Sequence, residues 1–173
     1  SRNAKTAFGL IRKSELYDIL AVIDHQSKVG DAGELVDGKI AQIPVYTSIE
    51  VFIESMKKKN NKNLTELVRG IYAIIGIATP GGIIPKDLRI ELLEALSYGM
   101  HIVNGLHEYL TDDKEMVYAA DKNSTKLFDI RKPKRVKDQS FWTGEILNVR
   151  APRIAILGTD CALGKRTSSI WLR

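Results

Sequence analysis

The chain has 173 residues, 44% hydrophobic and 27% charged, with a net charge of +5 and one cysteine. A mean hydropathy of −0.13 and no apolar run approaching ~18 residues argue against a membrane-spanning helix. Cys161 alone rules out an internal disulfide framework, and Ser1 to Lys13 lacks the apolar core of a signal peptide, so a reducing cytoplasm is expected.

In chain order, residues 3–13 read as a helix with Leu10 and Ile11 inward. Ile19 to Asp24 reads as a buried strand ending in an acid. In a dinucleotide-binding unit that acid would hold ribose hydroxyls; it is equally at home in a ligand-free loop. Such a unit opens on a strand, and none precedes the helix, so either the first strand of the sheet is missing or the unit is not of this kind. Gly30, Gly33 and Gly38 mark a long loop, and Ile43 to Tyr46 a short strand. Thr47 and Ser48 cap a helix over Ile49 to Lys59. The lysines 57–59 and Lys62 sit among Asn60, Asn61 and Asn63 with no aromatic residue between them. That pattern is a solvated helix end, not a nucleic-acid surface.

Leu64 to Arg69 forms a helical turn, and Ile71 to Ala78 reads as a central parallel strand, apolar on both faces. It runs into Thr79-Pro80-Gly81-Gly82. Pro85 opens a helix with Leu88, Leu92, Leu93 and Leu96 at helical spacing, closed by Gly99. His101 to Asn104 is the next strand, Thr111 caps a helix with Asp112, Asp113 and Glu115 in its first turn, and Leu127 to Ile130 is a further strand. Lys134 to Val149 reads as a linker with Phe141, Trp142 and Gly144 as packing points. Alternating strands and helices make this an α/β doubly wound parallel sheet.

Three polar clusters follow successive strands: Thr79 to Gly82, Asn104 to Glu108, and Asp129 to Lys132. A parallel sheet gathers those ends at one edge, where ligands sit. Gly81, Gly82, Asn104, Arg131 and Lys132 are the candidate substrate-binding residues, the two cations suiting a carboxylate or phosphate. His107 and Glu108 are the candidate catalytic pair, an acid or base with its orienting carboxylate. The alternatives stay open: His107-Glu108 as a pair bonded to local backbone, and Arg131-Lys132 as a solvated loop or a salt bridge to Asp129.

The last stretch, Arg153 to Arg173, reads R-I-A-I-L-G-T-D-C-A-L-G-K-R-T-S-S-I-W-L-R. Ile154 to Leu157 is expected to be a buried strand, followed by a glycine loop and a helix, the layout of a phosphate-binding loop. The candidate anion-binding residues are Gly158, Thr159, Asp160, Gly164, Lys165, Arg166 and Thr167. Five residues separate the two glycines instead of four, and Arg166 stands where a metal-binding hydroxyl is usual. The loop is closer to the G-T-D-x-x-x-G-K-T form of dethiobiotin synthetase-like enzymes, with Thr167 supplying the hydroxyl or the loop working without Mg²⁺. No resident metal site is expected.

G-I-A-T-P-G-G (76–82), N-G-L-H-E-Y-L-T-D-D (104–113), D-I-R-K-P (129–133) and G-T-D-C-A-L-G-K-R-T (158–167) together resemble, in order, the blocks of a former domain-of-unknown-function family. Its members pair a Rossmann-like domain with a P-loop NTPase-like domain, and they include D-glutamate N-acetyltransferases that use acetyl-CoA. The resemblance implies a Rossmann-like domain over residues 1–133, a linker over 134–152, and the start of a truncated P-loop domain over 153–173. It favours function for His107-Glu108 and Arg131-Lys132 without supplying their roles. The expected activity is transfer of acetyl from acetyl-CoA to D-glutamate or a related acidic amino acid, absent from residues 1–173 alone. The alternatives are an ATP- and Mg²⁺-dependent ligase or kinase-like enzyme and a nucleotide-sensing module. The expected partners are a small-molecule substrate and a second copy of the chain, with no nucleic acid and no membrane.

Overall fold

The computed structural model describes residues 3–59, 63–68, 70–152, 154–159 and 164–172. The chain divides into two compact units, with the boundary between Pro133 and Lys134.

The first unit opens on helix α1 (Lys5–Arg12), followed by strand β1 (Val22–Ile23) and helix α2 (Ala32–Asp37). A loop was expected where α2 stands. The Asp31 side chain accepts from the amides of Gly33 and Glu34, and Gly38 closes the helix at φ +66°. A cap and a left-handed stop fix one and a half turns despite the glycines. Strand β2 (Val45–Tyr46) pairs with β1 in parallel, Val22 opposite Val45.

Helices α3 (Ile49–Lys59) and α4 (Leu64–Val68) lead to strand β3 (Tyr72–Ile74). The Ser48 hydroxyl accepts from Val51 N at 3.2 Å and so caps α3. Helix α5 (Lys86–Ser97), strand β4 (His101–Asn104), helix α6 (Lys114–Lys122) and strand β5 (Leu127–Asp129) complete the unit. Strands β3, β4 and β5 form a second parallel sheet in that order, with Ala73 opposite Ile102 and Ile102 opposite Leu127. The central strand is therefore β4, with Ile102, Val103 and Asn104 buried, whereas β3 lies at an edge with Tyr72 exposed. The apolar run at 71–78 reflects contacts with helices as well as strand pairing.

Alternate residues of α5 serve two cores. Leu92 and Leu96 pack with Ile102, Leu110 and Met116; Ala95 packs with Phe52, Ile53 and Met100. Thr111 does not cap α6. It belongs to a 3₁₀ turn, Leu110–Asp112, and the cap is Asp113, which accepts from Glu115 N and Met116 N.

The second unit holds 3₁₀ turns at Val136–Asp138 and Glu145–Asn148 and a helix α7 (Lys165–Trp171). Phe141 is 97% exposed, so it is not a packing point, and Trp142 is exposed as well. Ile154 to Leu157 was expected to be a buried strand. It pairs with no strand among the described residues, and Ile154 and Leu157 are 78% and 86% exposed. A lone extended segment has no ladder to hold it and no layer to bury it.

Candidate functional site at the sheet edge

The turn after β3 is built on two glycines. Gly81 and Gly82 both have φ +68°, within the 3₁₀ turn Pro80–Gly82, a conformation that costs a β-carbon residue strain. The Gly82 carbonyl accepts from His107 N and Glu108 N, each at 3.0 Å. A β-carbon at 82 would stand 2.5 Å from His107 Cδ2, so the imidazole lies directly on the glycine. The His107 side chain is otherwise exposed, and no hydrogen bond engages its ring among the described residues.

Glu108 has a different occupation from the one expected. Its Oε2 accepts from Ile84 N at 2.6 Å, tying the loop after β4 to the chain entering α5. The carboxylate thus sets the backbone around His107 and does not hold the imidazole.

Asn104 ends β4 fully buried, with 0% exposure. Its Nδ2 donates to Glu108 O and to Asp129 Oδ1, both at 2.7 Å, and its Oδ1 accepts from Leu106 N at 2.9 Å. Buried amides persist only when their hydrogen bonds are made, and this one makes three. Asn104 is thus a buttress under the loop 105–108, not a surface that meets a ligand.

Asp129, which residue-type reasoning left as a salt-bridge partner, anchors the other side. Besides Asn104 it accepts from Leu110 N, Thr111 N and the Thr111 hydroxyl at 3.0, 2.9 and 2.7 Å. Burial pushes its carboxyl up, but these bonds outweigh burial and hold it below the ordinary carboxylate range. The sequence signal was a carboxylate at a strand end opposite a threonine-bearing loop.

Lys132 bonds the Thr111 hydroxyl at 2.7 Å, pairs with Asp112 and lies 5.4 Å from the Tyr109 ring centre. Its charge is answered internally. Arg131 Nε donates to Gly105 O at 2.6 Å, leaving its terminal nitrogens without a partner among the described residues. Neither cation bridges Asp129. The structure therefore brings Gly81, Gly82, Asn104, His107, Glu108, Arg131 and Lys132 to the carboxyl edge of one sheet. It leaves His107 and Arg131 as the groups available to a ligand. Asp24, the other acid at a strand end, accepts from Gln26 N at 3.0 Å in a local turn.

In the second unit, Gly164 has φ +84° and leads into α7, where Lys165, Arg166 and Thr167 form the first turn. A β-carbon at Gly158 would meet Lys165 Cδ at 3.1 Å and Nζ at 3.4 Å, so the lysine lies back across the bare backbone at 158. Gly158, Thr159, Arg166 and Thr167 are exposed. Asp160 lies outside the described residues. Among the described residues no three His, Cys, Asp or Glu side chains are grouped to hold a metal ion, and no helix is long and apolar enough to cross a membrane.

A Rossmann-like domain of unknown function (DUF1611_N) matches residues 26–133, and its P-loop counterpart (DUF1611_C) matches residues 140–173. The chain belongs to the DUF1611 family. A crystal structure of a DUF1611 protein from Anabaena variabilis superposes with a TM-score of 0.74 at 30% identity, covering 98% of this chain and 44% of that one. Two curated relatives are named D-glutamate N-acetyltransferase. The Pseudoalteromonas sp. protein is 37% identical over 57% of this chain, and the Tritonibacter scottomollicae protein 29% identical over 56%. These matches span 29% and 28% of those relatives' length.

Proposed function

We propose that the protein transfers the acetyl group of acetyl-CoA to the amino group of D-glutamate or a related acidic amino acid. The names of the two curated DUF1611 relatives support the activity class. The observation that carries the reading is the pairing, at one sheet edge, of an unengaged imidazole at His107 with the open guanidinium face of Arg131.

On this reading Arg131 receives a substrate carboxylate through its two terminal nitrogens, the fork geometry that suits a carboxylate. That fixes the amino acid beside His107, which takes the proton from the attacking amine. Glu108 and Asn104 keep the imidazole in place through the backbone, and Lys132 holds the flanking loop to Asp112. The Gly158–Thr167 loop fits a polyanion: bare backbone at 158, a lysine stem across it and Arg166 beside it. Gly158, Thr159, Gly164, Lys165, Arg166 and Thr167 would hold the phosphates of coenzyme A there. When bound, acetyl-CoA supplies the acyl group as a thioester.

Calorimetric titration of the full-length protein with acetyl-CoA and separately with Mg·ATP tests the assignment. Tight acetyl-CoA binding with no ATP response is expected, lost in Lys165→Ala. Binding of Mg·ATP alone would replace acyl transfer with a ligase or kinase-like reaction, and an unchanged Lys165→Ala affinity would remove the loop from the cofactor site. His107→Gln should lower kcat by about 10²–10⁴-fold with the fold intact, the range for a lost general base.

A further inference from the structure

Asp112 and Asp113 are adjacent acids with unequal duties. Asp113 accepts from Glu115 N and Met116 N and so caps α6. Asp129, across the loop, accepts from Leu110 N, Thr111 N and the Thr111 hydroxyl. Asp112 ties down no backbone. Among the described residues its carboxylate meets only the Lys132 ammonium, and its side chain is 63% exposed. An exposed lysine–carboxylate pair of this kind is weak and readily exchanged.

Lys132 is better anchored than its acid. The Thr111 hydroxyl donates to Asp129 at 2.7 Å and accepts from Lys132 Nζ at 2.7 Å. The Tyr109 ring centre lies 5.4 Å from the same nitrogen. Of the three ammonium hydrogens, Thr111 takes one and Asp112 another, and the third has no hydrogen-bond partner among the described residues. Release of Asp112 therefore leaves Lys132 in place with its charge open.

The backbone fixes where that charge lies relative to His107. Lys132 N donates to Asp129 O at 3.1 Å, closing the turn that carries Arg131 and Lys132. From this turn Arg131 Nε reaches the start of the loop after β4, at Gly105 O, and Lys132 Nζ reaches its end, at Thr111. His107 lies on the stretch between these two anchors, its amide held by Gly82 O. The two cations thus bracket the imidazole along one loop.

We propose that Asp112 stands in for a substrate carboxylate: it occupies Lys132 in the empty site and gives way to the second carboxylate of a dicarboxylic amino acid whose first is held by Arg131. On the acyl-transfer reading, on which the identity of this acceptor rests, Asp112 makes the site select for two carboxylates. A monocarboxylic amino acid has nothing to displace Asp112 with and is held by Arg131 alone. A dicarboxylic one meets both cations, and its chain is drawn out along the stretch that carries His107.

The test titrates the full-length protein by NMR with glutarate, the skeleton of glutamate without its amine, and with butyrate, which has a single carboxylate. Neither is an acyl acceptor, so the result does not depend on turnover. Wild type should bind glutarate at least about 10-fold tighter than butyrate, the range of one added charge-assisted contact. Lys132→Met, which keeps an unbranched stem beside Tyr109, should remove that preference and leave butyrate unchanged, and Lys132→Arg should keep part of it. Asp112→Asn should tighten glutarate by about 2- to 5-fold, the range of an exposed pair, without changing butyrate. In the Lys132→Met background the same Asp112→Asn change should have no effect. Equal binding of the two ligands by wild type overturns the proposal. Weakening of both alike by Lys132→Met assigns the lysine to the fold and overturns it as well. So does an Asp112→Asn gain that butyrate shares or that persists without Lys132, because a general loss of negative charge acts on any anion. Failure of the full-length protein to acetylate any amino acid, with the glutarate preference intact, removes the acyl-transfer reading and leaves the exchange of Asp112 supported.

Discussion

Asn104 shows how much a single buried amide can organise. Its three hydrogen bonds join the end of β4, the loop carrying His107 and the Asp129 carboxylate. Replacing it with alanine takes the partner from Glu108 O and Leu106 N and leaves Asp129 Oδ1 with Leu110 N alone. Asn104→Ala should cost about 2–4 kcal/mol, measured as a lowered urea midpoint with unchanged slope. Gly82→Ala meets two obstacles, a positive φ and the His107 ring at 2.5 Å, and should cost about 1–3 kcal/mol while displacing the imidazole. The ring's NMR shifts would report that displacement. The candidate residues were legible because polar residues cluster after apolar runs. Their division of labour was not, because it depends on which backbone atoms lie opposite. Glu108 beside His107 suggests a couple in sequence, yet in space its nearest donor is Ile84 N.

Helices α5 and α6 are clamped by charge as well as by their shared core. Arg89 bonds both oxygens of Asp113 and reaches Glu115 at 2.6 Å. The Arg89 guanidinium, followed by the α6 amides, draws the Asp113 carboxyl down to about 2. A carboxyl depressed in the folded state stabilises above its unfolded value and ceases to do so as pH falls through the folded one. Thermal stability should therefore drop between about pH 4 and pH 2 by an amount near 1 kcal/mol after solvent screening. Asp113→Asn should remove that part of the acid sensitivity, read by calorimetry across this window. Element placement was largely legible in the sequence, with two instructive exceptions. Glycines obscured α2 although Asp31 and Gly38 bracket it. Ile154 to Leu157 has strand composition but no neighbouring strand among the described residues, and pairing is a property that composition does not carry.

Across the whole chain, the two units differ in how much they bury. The first holds the buried cores, whereas the exposed apolar groups of the second, Leu157 and Trp171 among them, have found no layer. Within the first unit, the His25–Glu91 bond links the turn after β1 to α5. That bond raises the His25 value, against an opposing contribution from burial. Its stabilisation is complete below the unfolded value of about 6.5 and lost as pH rises through the higher folded one. Wild type should lose more stability than His25→Ala between pH 6 and pH 9, measured by urea midpoints. The alternation of strands and helices gave the α/β class, but the division into two sheets rests on which edges meet.

The Gly82 carbonyl holds the amides of both residues 107 and 108, so the turn and the imidazole travel as one rigid piece. On the proposed acyl-transfer reading, a substrate leaning on residues 79–83 would tilt the ring through that single linkage. Changing the shape of this strand-to-helix turn would then retune selectivity while His107 itself stays untouched.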